Sequence, residues 1–341
     1  MELLVAQPTF PFAARLSPHA QQAETHLRSW SRRIGIVSDG PAGDAFDATL
    51  LGRFAGWVYP DAEPDRLLVL AGWMGWVFTF DDLLDDTPEG RDIGFVDQVV
   101  DCLAAVCRGA AGRGPKAPTP AVARSRDAFA DLWQRMVPAM PPHWTARLTA
   151  HTLEYLHSYR PQAAANSARS VLDESAFTAH RLASASMYPS MDQIEYAIAR
   201  PIHPSVITDP DIAVLRKAAA NVVAWSNDLH SAAKEISVGD LCNYVTVLHH
   251  ELGVPLQQAA DEVLVRIYRQ VDRFTAVESR IVAMLPRLPA DQRSAVLGLV
   301  DGLKFWMAGY VEWSIESGRY RSSNLPDGDE LLEATGRRQA A

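Results

Sequence analysis

Cysteine is scarce in this chain, and positive charge is in the minority. Only Cys102, Cys107 and Cys242 occur among 341 residues. Three thiols cannot make a disulfide framework or a structural zinc site, and they fit a reduced, cytoplasmic setting. Lys and Arg number 32 against 41 Asp and Glu, for a formal net charge of -9. General nucleic-acid binding needs a basic surface, so that class is excluded. An anionic substrate could bind only at a local cluster of cations or through metal. Met1 to Pro11 lacks the basic and long apolar regions of a signal peptide. The longest nearly uninterrupted apolar run, Leu67–Phe80, falls short of the roughly 18 residues that suggest a membrane span. Gly and Trp interrupt it, Asp81 and Asp82 follow at once, and it reads as a buried core helix. Internal repeats and sustained strand-like alternation are also missing.

Hydrophobic residues make up 48% and charged residues 21%, a globular balance. Helix starts recur: Ser17-Pro18, Thr119-Pro120 and Asp209-Pro210 each place a capping side chain before a proline. The pattern predicts helices over about 18–34, 45–58, 64–86, 92–108, 120–137, 142–158, 173–187, 190–200, 210–236, 240–250, 255–285 and 290–318. The breaks, Val37–Gly43, Arg108–Pro118, Pro161–Ala168 and Ile202–Thr208, do not read as domain linkers. One all-α domain over residues 1–322 is expected, with a disordered tail over 323–341.

Two polar constellations sit on these helices. In Phe78-Thr79-Phe80-Asp81-Asp82-Leu83-Leu84-Asp85-Asp86, helical spacing crowds Asp81, Asp82 and Asp85 onto one stripe. Three carboxylates repel unless something positive stands between them. Oxygen ligands without nearby His or Cys suit a hard cation, Mg²⁺ above all. A lone DDxxD is as readily a solvated helix end; here the apolar helix before it points to a cavity. In Asn227-Asp228-Leu229-His230-Ser231-Ala232-Ala233-Lys234-Glu235, the residues Asn227, Ser231 and Glu235 are spaced by four and share a face. They form a second all-oxygen set, with the cation Lys234 beside it. Taken alone, this motif is an ordinary polar helix face.

Together the two resemble the DDxxD and NDxxSxxxE metal motifs of bacterial class I terpene synthases. The likeness continues through Arg181, which matches the family's pyrophosphate-sensing arginine in spacing. Gly239-Asp240, Asn243 and the pair Arg319-Tyr320, preceded by Trp306 and Trp313, continue it, so that it spans roughly residues 8–322. Two departures stand out. The family often has a Gly at the kink after the sensor; here Ala185 takes that place, with Ser184 as linker. Val77 and Phe78 stand where an aromatic pair is common.

The resemblance implies an all-α, single-domain class I terpenoid synthase bundle around a central cavity. It implies metal ligation by Asp81, Asp82, Asp85, Asn227, Ser231 and Glu235, holding three Mg²⁺ ions, with Mn²⁺ as a substitute. Arg181, Lys234, Arg319 and Tyr320 would contact the diphosphate, and Phe78, Ser184, Ala185, Trp306 and Trp313 the isoprenoid. The implied reaction is ionisation of an isoprenoid diphosphate and cyclisation of the carbocation. Farnesyl diphosphate (C15) is the expected substrate and geranylgeranyl diphosphate (C20) the alternative. Homodimers are common in the family, and no membrane partner is implied.

The residues suit that chemistry on physical grounds. A leaving diphosphate must be neutralised before its C–O bond breaks, and metal and guanidinium groups do this. The cation left behind needs a dry wall, and Trp and Phe faces stabilise positive charge without reacting. Three readings compete. A chain-elongating prenyl synthase normally carries two DDxxD motifs, whereas the second site here reads Asn-Ser-Glu. A di-iron carboxylate protein needs two Glu-x-x-His pairs, and Glu154-x-x-His157 is the one found. A catalytically dead isoprenoid-binding protein would not need both metal motifs intact.

Overall fold

A computed structural model describes residues 3–85, 87–109 and 114–320. Among these residues the regular structure is helical, without strands. The helices are α1 (Ala20–Ile34), α2 (Pro41–Ala48), α3 (Leu51–Val58), α4 (Pro64–Asp85), α5 (Ile93–Cys107), α6 (Pro120–Met136) and α7 (Pro142–Ala168). They continue as α8 (Glu174–Ser184), α9 (Met187–Ala197), α10 (Pro204–Ile207), α11 (Pro210–Val238), α12 (Tyr244–Leu252), α13 (Leu256–Met284) and α14 (Ala290–Glu316). Thr119 and Asp209 cap α6 and α11 as their sequence suggests, accepting from Val122 N and Asp211 N. Ser17 does not cap α1, which begins after His19. The expected tail over 323–341 lies outside the described residues.

α4 is apolar nearly all round and long enough to cross a membrane by composition, yet it packs against α1, α3, α6 and α9. Trp73 and Trp76 in it are fully buried, Trp76 stacking between Phe80 and Phe129. α11 is the second central helix, between α13, α14 and α9. α3 meets α14 closely: a Cβ on Gly309 would stand 2.6 Å from the Trp57 carbonyl oxygen, so only glycine allows that crossing.

Several expected boundaries differ: α2 and α10 begin inside expected breaks, α12 starts at Tyr244, and two further differences have a visible cause. The helix expected over 45–58 is two, broken where Leu50 takes a left-handed φ of 53°. The Thr49 carbonyl released at the break accepts from Trp313 Nε1 (2.7 Å) and Ser317 Oγ (3.2 Å), so α14 satisfies it. Pro161 does not end α7, which runs on to Ala168. Pro161 faces solvent, while Gln162, Ala163 and Ala165 beyond it are buried, and that packing outweighs the one missing backbone bond.

α9 is anchored by a buried ion cluster. Asp192, inaccessible to solvent, accepts from Arg147 Nε (2.8 Å) and Arg216 Nη2 (2.7 Å) and meets His151 Nδ1. Glu195 one turn on pairs with Arg147 and accepts from Ile202 N (2.7 Å). Charges buried this deeply persist only when paired and hydrogen-bonded.

Candidate active site

α4, α11, the α8–α9 junction and the end of α14 line one cavity that opens to solvent. Met74, Val77, Phe78, Asp81, Asp82 and Asp85 line it from α4, and Val223, Ala224, Asn227, Ser231, Lys234 and Glu235 from α11. Both sets follow helical spacing, so each is one stripe. On both helices the polar end of the stripe lies toward the C-terminus, and the apolar end forms the floor. Arg181, Ser184, Ala185, Trp306, Arg319 and Tyr320 complete the expected set around the wall.

The polar end is densely connected. Asp82 accepts from Arg319 through both guanidinium ends (2.8 and 3.2 Å) and from Lys234 Nζ (3.3 Å). The Arg319 guanidinium also sits 4.6 Å from the centroid of the Phe78 ring. Arg181 Nη2 donates to Asn227 Oδ1 (2.7 Å) and stands 2.8 Å from Asp228 Oδ1, a charge contact lacking hydrogen-bond geometry. Asn227 Nδ2 donates to Tyr320 OH (3.0 Å), which also accepts from Tyr310 OH (3.2 Å). Ser231 Oγ is tied to the Asn227 carbonyl (2.8 Å), and Glu235 accepts from Asn243 Nδ2 (2.8 Å). From α7, Tyr159 OH donates to Asp81 (2.8 Å) and Gln162 Nε2 to Asp85 (2.9 Å).

Charge at this end is unevenly compensated. Burial pushes the Asp82 carboxyl up, but Arg319 and Lys234 outweigh it and hold it below its usual range. Asp81 is raised, first by burial and then by the charge of Asp82. Glu235 is raised by burial, with Asp240 and Asp228 adding to it. Burial lifts Asp228 to about 6 despite Arg181. Among the described residues no three His, Cys, Asp or Glu side chains gather closely enough to enclose an ion. Lys234 and Arg319 stand among the carboxylates instead. An all-oxygen donor set short of positive charge fits a hard divalent cation.

Trp313 is a correction. It is fully buried one layer behind the wall, stacked on Phe54 (4.2 Å) with its indole nitrogen committed to Thr49, and it does not line the cavity. Its expected place on the cavity wall is taken by Tyr310, four residues after Trp306. That i,i+4 spacing is the signal the sequence offers for Tyr310, and the two tryptophans beside it obscure it. Trp225 packs on Tyr244 rather than on the cavity. Glu154 is exposed and His157 half-buried, both away from the cavity, so the di-iron reading has no site there. Ser184 and Ala185 do reach the wall, where α8 ends. The glycine-free kink is made by Ser186, left-handed at φ 54°, before α9 begins.

The profile of terpene synthase family 2, C-terminal metal binding, matches residues 72–273, which include both motifs. Isoafricanol synthase of Streptomyces violaceusniger is 30% identical, over 91% of this chain and 83% of its own length. The (+)-T-muurolol synthase of Roseiflexus castenholzii, farnesyl diphosphate cyclizing, is 29% identical over 92% and 93%. The crystal structure of germacradien-4-ol synthase from Streptomyces citricolor superposes with a TM-score of 0.77 at 27% identity, covering 91% of this chain and 98% of that one.

Proposed function

Because this chain belongs to the bacterial class I terpene synthase family, a metal-binding family, we propose that it ionises farnesyl diphosphate and cyclises the carbocation to a sesquiterpene. The observation that carries this reading is the polarity of the cavity. Carboxylates, Arg181, Lys234 and Arg319 share one end, and an apolar, aromatic wall continues from it. Asp81, Asp82 and Asp85 on one side, and Asn227, Ser231 and Glu235 on the other, would hold Mg²⁺, which when bound supplies Lewis-acid neutralisation of the leaving diphosphate. Arg181, Lys234 and Arg319 bind phosphate oxygens by charge-assisted hydrogen bonds, and Tyr320 donates one more. Phe78, Trp306 and Tyr310 present ring faces to the cation, and Ser184 and Ala185 border it at the kink. The catalytic domain is residues 1–322, and its unpaired thiols support a cytoplasmic setting.

The test is incubation with farnesyl diphosphate and Mg²⁺, with diphosphate release and gas chromatography–mass spectrometry as readouts. EDTA is expected to abolish release and added Mg²⁺ to restore it. Asn227→Ala removes most turnover while helical content survives. Full activity in EDTA refutes the reading.

A further inference from the structure

The floor of the cavity, opposite the carboxylates, is not purely apolar. Ser186 and Trp306 line it, each 3% exposed; Ser186 Oγ has no hydrogen-bond partner among the described residues, and Trp306 Nε1 lies near Tyr59 OH without hydrogen-bond geometry. Gln193, fully buried one turn along α9 from Ser190, also leaves its Nε2 unpartnered. These groups belong to one small region. Tyr59 OH bonds the Ser190 carbonyl (2.8 Å) and Gln193 Oε1 (3.2 Å), and its ring meets Trp306 edge-on at 5.5 Å. Ser190 Oγ in turn donates to the Ser186 carbonyl (2.8 Å). A floor built only to hold a hydrocarbon has no use for unsatisfied polar groups at Ser186 and Trp306, with a third at Gln193 behind them, because each is costly to bury. A buried water typically satisfies two to four such groups, and this cluster is polar enough to seat one.

We infer that the Ser186–Trp306–Gln193 cluster holds a water molecule that captures the terminal carbocation, so that the product is a sesquiterpene alcohol. The inference rests on the reading of the cavity as a terpene synthase site. A lone pair of the water oxygen forms the new C–O bond to the cationic carbon. The proton then released from the oxonium goes to the diphosphate, the base that ionisation itself set free. Isoprenoid diphosphate plus water thus gives alcohol plus hydrogen diphosphate, with no oxidant or reductant. Placing the water at the floor keeps it from the first cation, which forms at the carboxylate end.

The full-length enzyme is incubated with farnesyl diphosphate and Mg²⁺ in water enriched in the heavy oxygen isotope, and products are weighed by mass spectrometry. The main product is expected to be an alcohol carrying the heavy oxygen. A hydrocarbon as main product, with diphosphate released, overturns the inference and leaves the synthase reading standing. Absence of diphosphate release overturns both. Ser186→Gly removes the hydroxyl and keeps the left-handed backbone without strain. Its alcohol-to-hydrocarbon ratio is expected to fall about tenfold, the effect of removing one hydrogen bond to the water. Trp306→Phe keeps the ring face, removes the N–H and shifts the ratio in the same direction. The ratio is read within the folded fraction, so a drop in stability does not mimic the effect. Unchanged ratios in both variants overturn the inference.

Discussion

Arg319→Ala is expected to move two measurements in opposite directions. Arg319 places both ends of its guanidinium on Asp82 and stacks over Phe78. The same N–H groups cannot simultaneously serve a phosphate oxygen, and while they hold Asp82 they compete with metal for its lone pairs. Removing them frees Asp82 and leaves the site more negative. A hydrogen bond to a charged group contributes roughly 1.5–3 kcal/mol. The Asp82 side chain is 38% exposed and Lys234 remains beside it, so the lower end applies. Substrate-free protein should then bind Mn²⁺ or Mg²⁺ about tenfold more tightly, by titration calorimetry. Turnover goes the other way. Without a guanidinium to bind the phosphate oxygens, kcat/KM for diphosphate release falls about ten- to a hundredfold at saturating metal. Weaker metal binding in the variant, or unchanged turnover, refutes the assignment of Arg319 to both tasks.

Phe78→Leu keeps an apolar wall, touches no metal ligand and removes a ring packed against Phe54 and Trp313. Substrate consumption should persist with a shifted product mixture richer in linear or early-deprotonated terpenes, and an unaltered product ratio makes Phe78 a packing residue only. The Asp192 cluster predicts acid sensitivity. Burial raises that carboxyl, but Arg216, His151 and Arg147 outweigh it and hold it at about 2, against an ordinary 3.8. A depressed carboxylate contributes its stability above the unfolded value and loses it as pH falls toward the folded one. The contribution is about 2 kcal/mol, lost between about pH 4 and pH 2. In Asp192→Asn the slope of unfolding free energy against pH in that window should flatten, and equal slopes in denaturant titrations refute the pairing.

Both polar stripes were legible because they are local. Spacings of three and four fix which side chains share a helix face, whatever the helix packs on, so Asp81 with Asp85 and Asn227 with Ser231 and Glu235 could be read from the chain alone. Features set by distant partners were not. Leu50 breaks a helix because α14 takes up the freed carbonyl, and that partner is more than 260 residues away in sequence. Pro161 reads as a stop, yet the helix beyond it is held by burial, and this carries Gln162 to Asp85. Trp313 and Tyr310 both lie on α14, and nothing in composition says which of two aromatics faces a cavity. Phe54 reaches the cavity wall only through the α3–α14 crossing.

The two arginines of the site are prepared differently, and the second polar motif explains why. Asn227 and Asp228 are consecutive, so their side chains diverge by about 100°. Asn227 faces the cavity, while Asp228 turns away from it, is wholly buried, and meets Arg181. Asp228 is therefore no ligand candidate; it holds Arg181. Burial already raises that carboxyl to about 6, and withdrawing Arg181 would push it further up, toward the protonated form. In the proposed role, Arg181 would reach diphosphate while keeping Asp228. It can do so, because its Nη2 serves Asn227 and Asp228 while its Nε has no hydrogen-bond partner among the described residues. Arg319 has both Nη atoms on Asp82, so a phosphate oxygen competes with that carboxylate for its guanidinium. In the proposed role, diphosphate would add a contact at Arg181 and compete with Asp82 at Arg319. The second polar motif therefore also fixes the position of Arg181, through Asn227 and Asp228.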